Sequence, residues 1–585
     1  MHPTNFIYFA IIYVLLYLAS HIGLYLLFKK ANVKMAWLAF IPVVCYWPWI
    51  QLTGRPKTWI LWALVPAADV IIWFSLVIDM MESFGKLKFV EQVIAVLFPF
   101  YYYPKLALDK NVKYLGPARN AEFRKKYIPE RKGSKREWAD ALFFAFIVAY
   151  LIRTFQLEPY KIPTSSMEDS MKVGDFLFVS KMNYGPRFPI TPIAFPLVHQ
   201  DLFGAQAYSE LIELPYMRLP GFQNVKRNDP IVFNVPIDAL DPTPRPLDKM
   251  QNYVKRCVGV PGDKLEIKSG VLYINDEPAL QPQKMQHQYF LRFKSGSVTP
   301  TPETLTNDYD IYDFGYMDEE NPLLMMIYAT DEDIQKIKND FDVEAAVRYI
   351  MPKEGYWYRP DNAKDTRDFN AVIKLKDSTT LSYAEMSKLG VIYSQPISSD
   401  MSNLLVFMDE SLIDSVKCRK VVPKVERIKK KFQHASSSFG VVFPMGVNGG
   451  GGDYQWNKDN YGPIYLPKRG ESVAITKDNF YIYQQAISVY EGNETFELRG
   501  STPYLNGQAI TNYTFKYDYY WMMGDNRDNS SDSRFFGYVP ETHIVGKPLF
   551  VFFSIQYKRA AVREPGSDGN EFVKIRWDRL FKGIH

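Results

Sequence analysis

The sequence predicts a mostly β globular part carrying an inserted α+β subdomain and preceded by N-terminal transmembrane α-helices. Three observations predict it. The first hundred residues hold long apolar stretches, the chain from about residue 156 onward alternates short apolar runs with turn residues, and two similar turn-centred segments stand roughly 220 residues apart. A length of 585 residues is too great for one ordinary domain.

The apolar stretch at residues 6–28 is interrupted only by His21 and is long enough to span a bilayer. Residues 59–81 form a second candidate span. Residues 36–52 and 89–103 are shorter, contain prolines and carry aromatics, a composition that fits spanning, re-entering or lying in the interface. The pairs Lys29/Lys30 and Arg55/Lys57 cannot both be cytoplasmic if 36–52 crosses fully, so that stretch is expected not to cross. No cleavage pattern follows the first stretch, which therefore reads as a retained anchor. Residues 1–104 are thus expected to be a multi-span membrane region. Residues 105–137, with Arg119, Arg124, Lys125, Lys126, Arg131, Lys132, Lys135 and Arg136, read as a basic cytoplasmic linker. The apolar run 138–155 reads as one further transmembrane anchor, delivering the remainder of the chain to the extracytoplasmic side.

From residue 156 the chain is rich in strand signals: 175–181, 231–235, 264–267 and 271–274 are short apolar runs bounded by Gly, Pro, Asn and Asp. Residues 156–275 and 501–585 are assigned to one β domain in two parts, with 276–500 inserted between them. Within the insert, Ile334, Ile337, Phe341, Val343 and Val347 lie at roughly helical spacing, which predicts a helix over 331–349. Asn275-Asp276 and Asn506-Gly507 are hairpin turn signals. The glycine run 449–452 lacks the Lys-Ser/Thr of a phosphate-binding loop.

Composition excludes several functions. A net charge of +5 over this length argues against a general nucleic-acid binder. Three cysteines, Cys45, Cys257 and Cys418, make no disulfide framework, and at most the last two could pair. The seven histidines show no HxxH or HExxH spacing, so no metal or other cofactor is expected.

Three segments carry chemistry. The first is Ile162-Pro163-Thr164-Ser165-Ser166-Met167, directly after the last apolar run. The second is Tyr253-Val254-Lys255-Arg256-Cys257-Val258-Gly259-Val260-Pro261-Gly262-Asp263. The third is Gly524-Asp525-Asn526-Arg527-Asp528-Asn529-Ser530-Ser531-Asp532-Ser533-Arg534. A serine hydroxyl needs a base before it can attack an amide, and no histidine lies near either of the first two segments. Lysine can serve if burial lowers its pKa. Strand alternation places Tyr253 and Lys255 on one face, with Val254 and Arg256 on the other. The third segment reads as a tight turn laced with Asx and Arg–carboxylate bonds. A calcium loop from Asp525, Asp528 and Asp532 lacks the terminal Glu of an EF-hand, and the two arginines oppose a cation there.

In this order and after an apolar span, these segments resemble the type I signal peptidases (leader peptidases). The string GDNRDNSxDSR is complete, and Arg227-Asn228-Asp229-Pro230-Ile231-Val232-Phe233 looks like another of the family's strand segments. The resemblance implies a Ser/Lys-dyad serine endopeptidase that removes signal peptides from exported pre-proteins after small-x-small sites. Ser166 would be the nucleophile and Lys255 the general base. Thr164 and the Ser166 N–H would form the oxyanion hole. Ser530 would orient Lys255, with Asp532 and Arg534 as a supporting ion pair and Asp525, Arg527 and Arg256 also in support. Met167, Met171 and Tyr253 would wall the substrate pocket, into which the peptide would lie as an added strand. The implied setting is the inner membrane, multi-pass, with the lipid bilayer as partner and the catalytic part on the periplasmic side.

Two features depart from the family. Glu168-Asp169-Ser170 follows Ser166-Met167 where an apolar residue and proline are commoner, and the region from about 276 to 500 has no counterpart in compact members. That insert leaves room for a partner of its own. The self-cleaving Ser-Lys repressors share the dyad, but the apolar spans and lack of a DNA-binding segment set them aside. A membrane-tethered scaffold without activity is the alternative from another class.

Overall fold

The computed structural model describes residues 3–65, 68–127, 134–195, 198–202, 204–240, 244–316, 323–350, 357–358, 373–374, 380–381, 393–396, 404–407, 442–444, 454, 456–558 and 571–584. The chain divides into two compact units, one of residues 1–159, 178–224 and 246–249, the other of 160–177, 225–245 and 250–585.

The first unit contains α1 (Pro3–Lys30), α2 (Tyr46–Thr53), α3 (Ala68–Ser83), α4 (Phe89–Leu97), α5 (Pro99–Leu108) and α6 (Ser134–Phe155). Leu27, Phe28, Trp49, Phe74, Met80 and Tyr103 form its core. Helices α1 and α5 meet at Gly23, where an added Cβ would stand 2.5 Å from Pro104 Cδ, so only glycine permits that approach. Stretch 6–28 lies within α1. Stretch 59–81 is not one rod, because a short helix at Trp59–Trp62 ends at Ala63 and α3 begins at Ala68. At about 1.5 Å per residue α3 runs roughly 24 Å, short of a hydrocarbon core about 30 Å thick. Stretches 36–52 and 89–103 likewise resolve into short pieces: a 3₁₀ turn at Ala36–Phe40 with α2, and α4 with α5. Among the described residues no helix is long and apolar enough to cross a membrane.

The second unit is mostly antiparallel β. Its main sheet runs β1 (Asp175–Ser180), β13 (Ile544–Lys558), β2 (Pro230–Asn234), β3 (Asn252–Gly259), β11 (Tyr519–Met523) and β12 (Val539–Pro540), in that spatial order. Ile231 faces Lys255 across β2 and β3, and Phe233 faces Tyr253. A bulge between Trp521 and Met522 re-registers β11 against β3, so that Met523 comes opposite Arg256. Beside it, β4 (Lys264–Lys268) and β5 (Val271–Ile274) form a hairpin whose other edge is taken by β10 (Tyr461–Tyr465). The two predicted hairpin turns form as expected: Asn275, Asp276, Asn506 and Gly507 all take positive φ.

The described residues of 276–500 contribute to two separate hydrophobic clusters. Their first part forms a sheet of its own, ordered β7 (Phe314–Tyr316), β8 (Leu324–Ala329), β6 (His287–Phe293) and β9 (Val343–Arg348), around Leu291, Met325, Ile327 and Ile337. Their last part shares a core with the main sheet: Phe443, Tyr461 and Phe480 pack in one cluster with Leu265, Trp521 and Tyr538. The helix expected over 331–349 is half right. Helix α7 (Asp331–Asp340) starts at a capping box of Thr330 and Asp333 but ends at Phe341, whose backbone is extended. Val343–Arg348 then pairs with β6, because valines four positions apart suit one face of a strand as well as one face of a helix. Cys257 is buried and free, while Cys418 and the run 449–452 lie outside the described residues.

Candidate active site

Ser166 sits on one short turn of 3₁₀ helix, Ser165–Met167, flanked by extended Thr164 and followed by a loop that returns to β1. Two backbone bonds close the loop's base: Ile162 N–H to the Asp175 carbonyl at 2.8 Å and Gly174 N–H to the Ile162 carbonyl at 2.9 Å. The fully buried Asp175 carboxylate ties the loop down. It accepts from the Lys172 N–H at 2.8 Å, the Ser554 hydroxyl at 2.7 Å and Arg579 Nη2 at 2.6 Å. Arg579 also reaches the Ser170 carbonyl at 3.3 Å, and Arg576 the Val173 carbonyl at 2.9 Å.

Lys255 projects from β3 and places Nζ 2.5 Å from Ser166 Oγ. The Tyr253 ring centroid is 5.2 Å from the same nitrogen, so the two residues share a face as the alternation requires. Only 4% of Lys255 is exposed. Burial pushes its ammonium down to about 8, against the opposing pull of Asp532 and Asp525. Near neutrality a useful fraction of the side chain is therefore the free amine, able to take a hydroxyl proton.

The third segment wraps around this pair. Asn526 N–H donates to the Ser166 carbonyl at 3.1 Å, Asn526 Nδ2 to the Ser165 carbonyl at 3.3 Å and Asn529 Nδ2 to Ser165 Oγ at 3.2 Å. Gly524 is obligatory, since a Cβ there would stand 2.5 Å from the Ser166 carbonyl oxygen and 2.2 Å from Ser530 Oγ. Asp532 caps the short helix Ser533–Phe536 and holds Arg534 through bonds of 2.9 and 2.8 Å, both residues being buried. Burial opposes ionisation of Asp532, but Arg534 outweighs it and keeps the carboxyl below its usual range. Asp525 pairs with Arg256 through two bonds of 2.7 Å and accepts from Ser170 Oγ at 2.6 Å. Arg527 is buried with its Nε on the Gly524 carbonyl, and burial together with nearby Arg534 pushes it down to about 10.

Not every expected contact is made. Ser530 Oγ is buried and has no hydrogen-bond partner among the described residues, so the expected bond to Lys255 is absent; that ammonium points at Ser166 instead. Met167 and Met171 are fully buried, and Met167 Sδ lies 3.4 Å from the Asp525 N–H. Tyr253 stays half-exposed. Thr164 is exposed, its hydroxyl 3.5 Å from Ser166 Oγ. Among the described residues no group of three metal-ligating side chains converges.

Several contributors carried no sequence signal. Gln286 exchanges backbone bonds with Asp525 and Arg527, at 2.9 and 3.0 Å, and Asp313 accepts from Asn529 Nδ2 at 3.0 Å. Lys458 pairs with Asp528. Only Lys458 stood in a recognisable string, Trp456-Asn457-Lys458-Asp459-Asn460-Tyr461-Gly462-Pro463.

Curated relatives resemble part of the chain. Signal peptidase I of Helicobacter pylori is 34% identical over 134 residues, 22% of this chain and 45% of that protein. Signal peptidase I of Buchnera aphidicola is 26% identical over 263 residues, covering 42% and 71% respectively. That of Rickettsia felis is 26% identical over 246 residues, covering 40% and 72%. The chain thus spans less than half of the Helicobacter relative. Residues 37–117 match a family of unknown function, DUF5684. Residues 135–372 and 467–553, more than half of the chain, match the family described as signal peptidase, peptidase S26, and the chain belongs to that family.

Proposed function

We propose that this protein is a serine endopeptidase that removes signal peptides from exported pre-proteins, with Ser166 as nucleophile and Lys255 as general base. The observation that carries the proposal is the buried Lys255 Nζ at 2.5 Å from Ser166 Oγ. Histidine is not needed, because burial alone brings the lysine into the working range of a base.

In the acylation step the neutral Lys255 amine takes the Ser166 hydroxyl proton as Oγ bonds to the scissile carbonyl carbon. The carbonyl electron pair moves to oxygen, where the Ser166 N–H and the Thr164 hydroxyl stabilise it. Each such donor contributes about 2.7–4 kcal/mol. Collapse expels the leaving amine, which takes the proton from Lys255. Water then repeats the sequence on the acyl-enzyme and returns Ser166. Asp525–Arg256 and Asp532–Arg534 hold the third segment against the dyad, fixing the distance on which proton transfer depends.

The substrate is assigned from the relatives, each named signal peptidase I, with cleavage after small-x-small sites as the expected pattern. Exposed Thr164 and half-exposed Tyr253 flank the nucleophile where an extended peptide would lie. The apolar segments of α1 and α6 would hold the protein in the cytoplasmic membrane with the dyad on the outer side, where the end of a signal peptide emerges. The test is cleavage of a purified pre-protein in detergent by wild type, Ser166→Ala and Lys255→Ala, with the cut located by mass spectrometry. Cleavage by wild type alone after a small-x-small site supports the proposal; cleavage by both variants shows a different nucleophile.

A further inference from the structure

Residue 458 lies in the gap between the two stretches that match the family, yet its side chain reaches into the most distinctive of the family's segments. The Lys458 ammonium pairs with Asp528, and the two side chains are 15% and 3% exposed. Asp528 has two further neighbours: the Gln288 N–H donates to it at 2.9 Å, and His287 Nδ1 lies 3.6 Å away. Lys458 is itself held in place. Asn457 Oδ1 accepts from the N–H groups of Asp459 and Asn460, both at 2.9 Å, folding residues 457–460 into a tight Asx turn. That turn is bolted to the β4–β5 hairpin, where the Gly270 N–H donates to the Asp459 carbonyl at 2.8 Å and the Ser269 N–H to Asn460 Oδ1 at 3.1 Å. The Tyr349 ring, 4.9 Å from Nζ, covers the ammonium.

The chain of contacts leads to the nucleophile. Asp528 is two residues from Asn526 and one from Asn529, which hold the Ser166 carbonyl, the Ser165 carbonyl and Ser165 Oγ. We propose that Lys458 is a positioning residue: by pairing with Asp528 it fixes the Gly524–Arg534 turn, and through Asn526 and Asn529 it fixes the backbone that presents Ser166. It touches neither substrate nor reacting atoms. On this reading the WNKDNYGP segment is a working part of the site, since a carboxylate as buried as Asp528 would not stay ionised in the turn without a cation facing it.

The inference rests on the proposed peptidase activity for its kinetic readout, so the experiment includes one that does not. Full-length wild type, Lys458→Met, Lys458→Arg, Asp528→Asn and the Lys458→Met/Asp528→Asn double variant are compared in detergent. Two quantities are measured: kcat and KM on a pre-protein, and amide hydrogen exchange of residues 524–534. Lys458→Met is expected to lower kcat about tenfold or more while KM stays within about twofold, because a misplaced catalytic group costs rate and not binding. Lys458→Arg is expected to recover most of the loss, the double variant to be no slower than Lys458→Met alone, and exchange across 524–534 to quicken in Lys458→Met. If Lys458→Met does not fold, the double variant, which leaves no lone charge buried, carries the test through the same loss of kcat. Wild-type kcat and exchange in Lys458→Met or in the double variant would overturn the proposal, as would an Lys458→Arg as slow as Lys458→Met. If wild type cleaves no pre-protein, the peptidase reading fails by itself and the exchange comparison alone decides on Lys458.

Discussion

The acid limb of the activity profile should be set by one buried amine. An ordinary lysine near 10.5 is neutral in about one molecule in three thousand at pH 7, whereas one brought down to about 8 is neutral in about a tenth. Burial of Lys255 thus raises the supply of free base about 300-fold, equivalent to about 3 kcal/mol. Since catalysis needs the neutral form, kcat/KM must rise with pH. The rise should be about tenfold per unit well below 8, half-maximal near 8 and flat beyond about 9. The perturbation that probes the cause is Tyr253→Ala, which removes the ring 5.2 Å from Nζ and admits water to it. Better solvation favours the ammonium, so the half-maximum should move up toward 10.5 and activity near pH 7 should fall more than activity near pH 10. The assay is initial-rate cleavage of a quenched fluorescent peptide across this range, with unfolding followed in parallel to exclude loss of structure. A wild-type half-maximum near 6.5 would point to a histidine base. One near 10.5, or a Tyr253→Ala profile that stays in place, would refute desolvation as the cause.

The same shift has a stability consequence of the opposite sign to the usual salt bridge. Folding depresses the Lys255 pKa, so the folded protein carries a penalty below about 8 that fades as pH rises toward 10.5. Lys255→Met should abolish cleavage yet stabilise the fold near pH 7 by about 1–2 kcal/mol, the penalty of about 3 less roughly 1 for the lost bond to Ser166. Denaturant melts at neutral and high pH check this, and the gain should vanish at high pH. Arg579→Met strands the buried Asp175 carboxylate and should cost about 3–5 kcal/mol by denaturant melt; a loss under about 1 would mean that the loop is held by Ser554 and Arg576. Gly524→Ala places a methyl against the Ser166 carbonyl and Ser530, and should slow cleavage by about a hundredfold while costing only about 1–3 kcal/mol of stability. Equal losses of activity in Gly524→Ala and in a surface glycine such as Gly492→Ala would show that the close approach is unimportant.

What the sequence disclosed was local or carried by specific strings. The Asn275-Asp276 and Asn506-Gly507 turns were legible because positive φ restricts residue choice. The closeness of Ser166 and Lys255 was legible because the three segments occur together. The helix over 331–349 was misread past Phe341, since Val343 and Val347 satisfy a four-residue spacing and an alternate-residue spacing at once. Met167 and Met171 were chosen as pocket walls because they are apolar and near Ser166, but nearness in sequence does not report that both are fully buried. Ser530 was placed by resemblance alone, and Lys255 donates to Ser166 and not to it. The charged supports Lys458 and Arg579 find their partners 70 and 404 positions away, a separation that no periodicity reports.

That last separation has a consequence in time. Loop 162–175 presents Ser166, and one of its chief fastenings, Arg579, is synthesised 404 residues after the Asp175 it grips. A ribosome adding about 5–20 residues per second needs tens of seconds to make that interval. Until then the loop lacks its latch, and the turn at 524–534 that backs Ser166 is itself made only shortly before. On the proposed function, cleaving power switches on late, as a property of the finished chain, and a product cut short anywhere before Arg579 carries a serine and a lysine without the full frame that makes them a pair. Long-range closure of this kind also slows folding, so the nascent protein spends its slowest interval while it is still harmless to its neighbours.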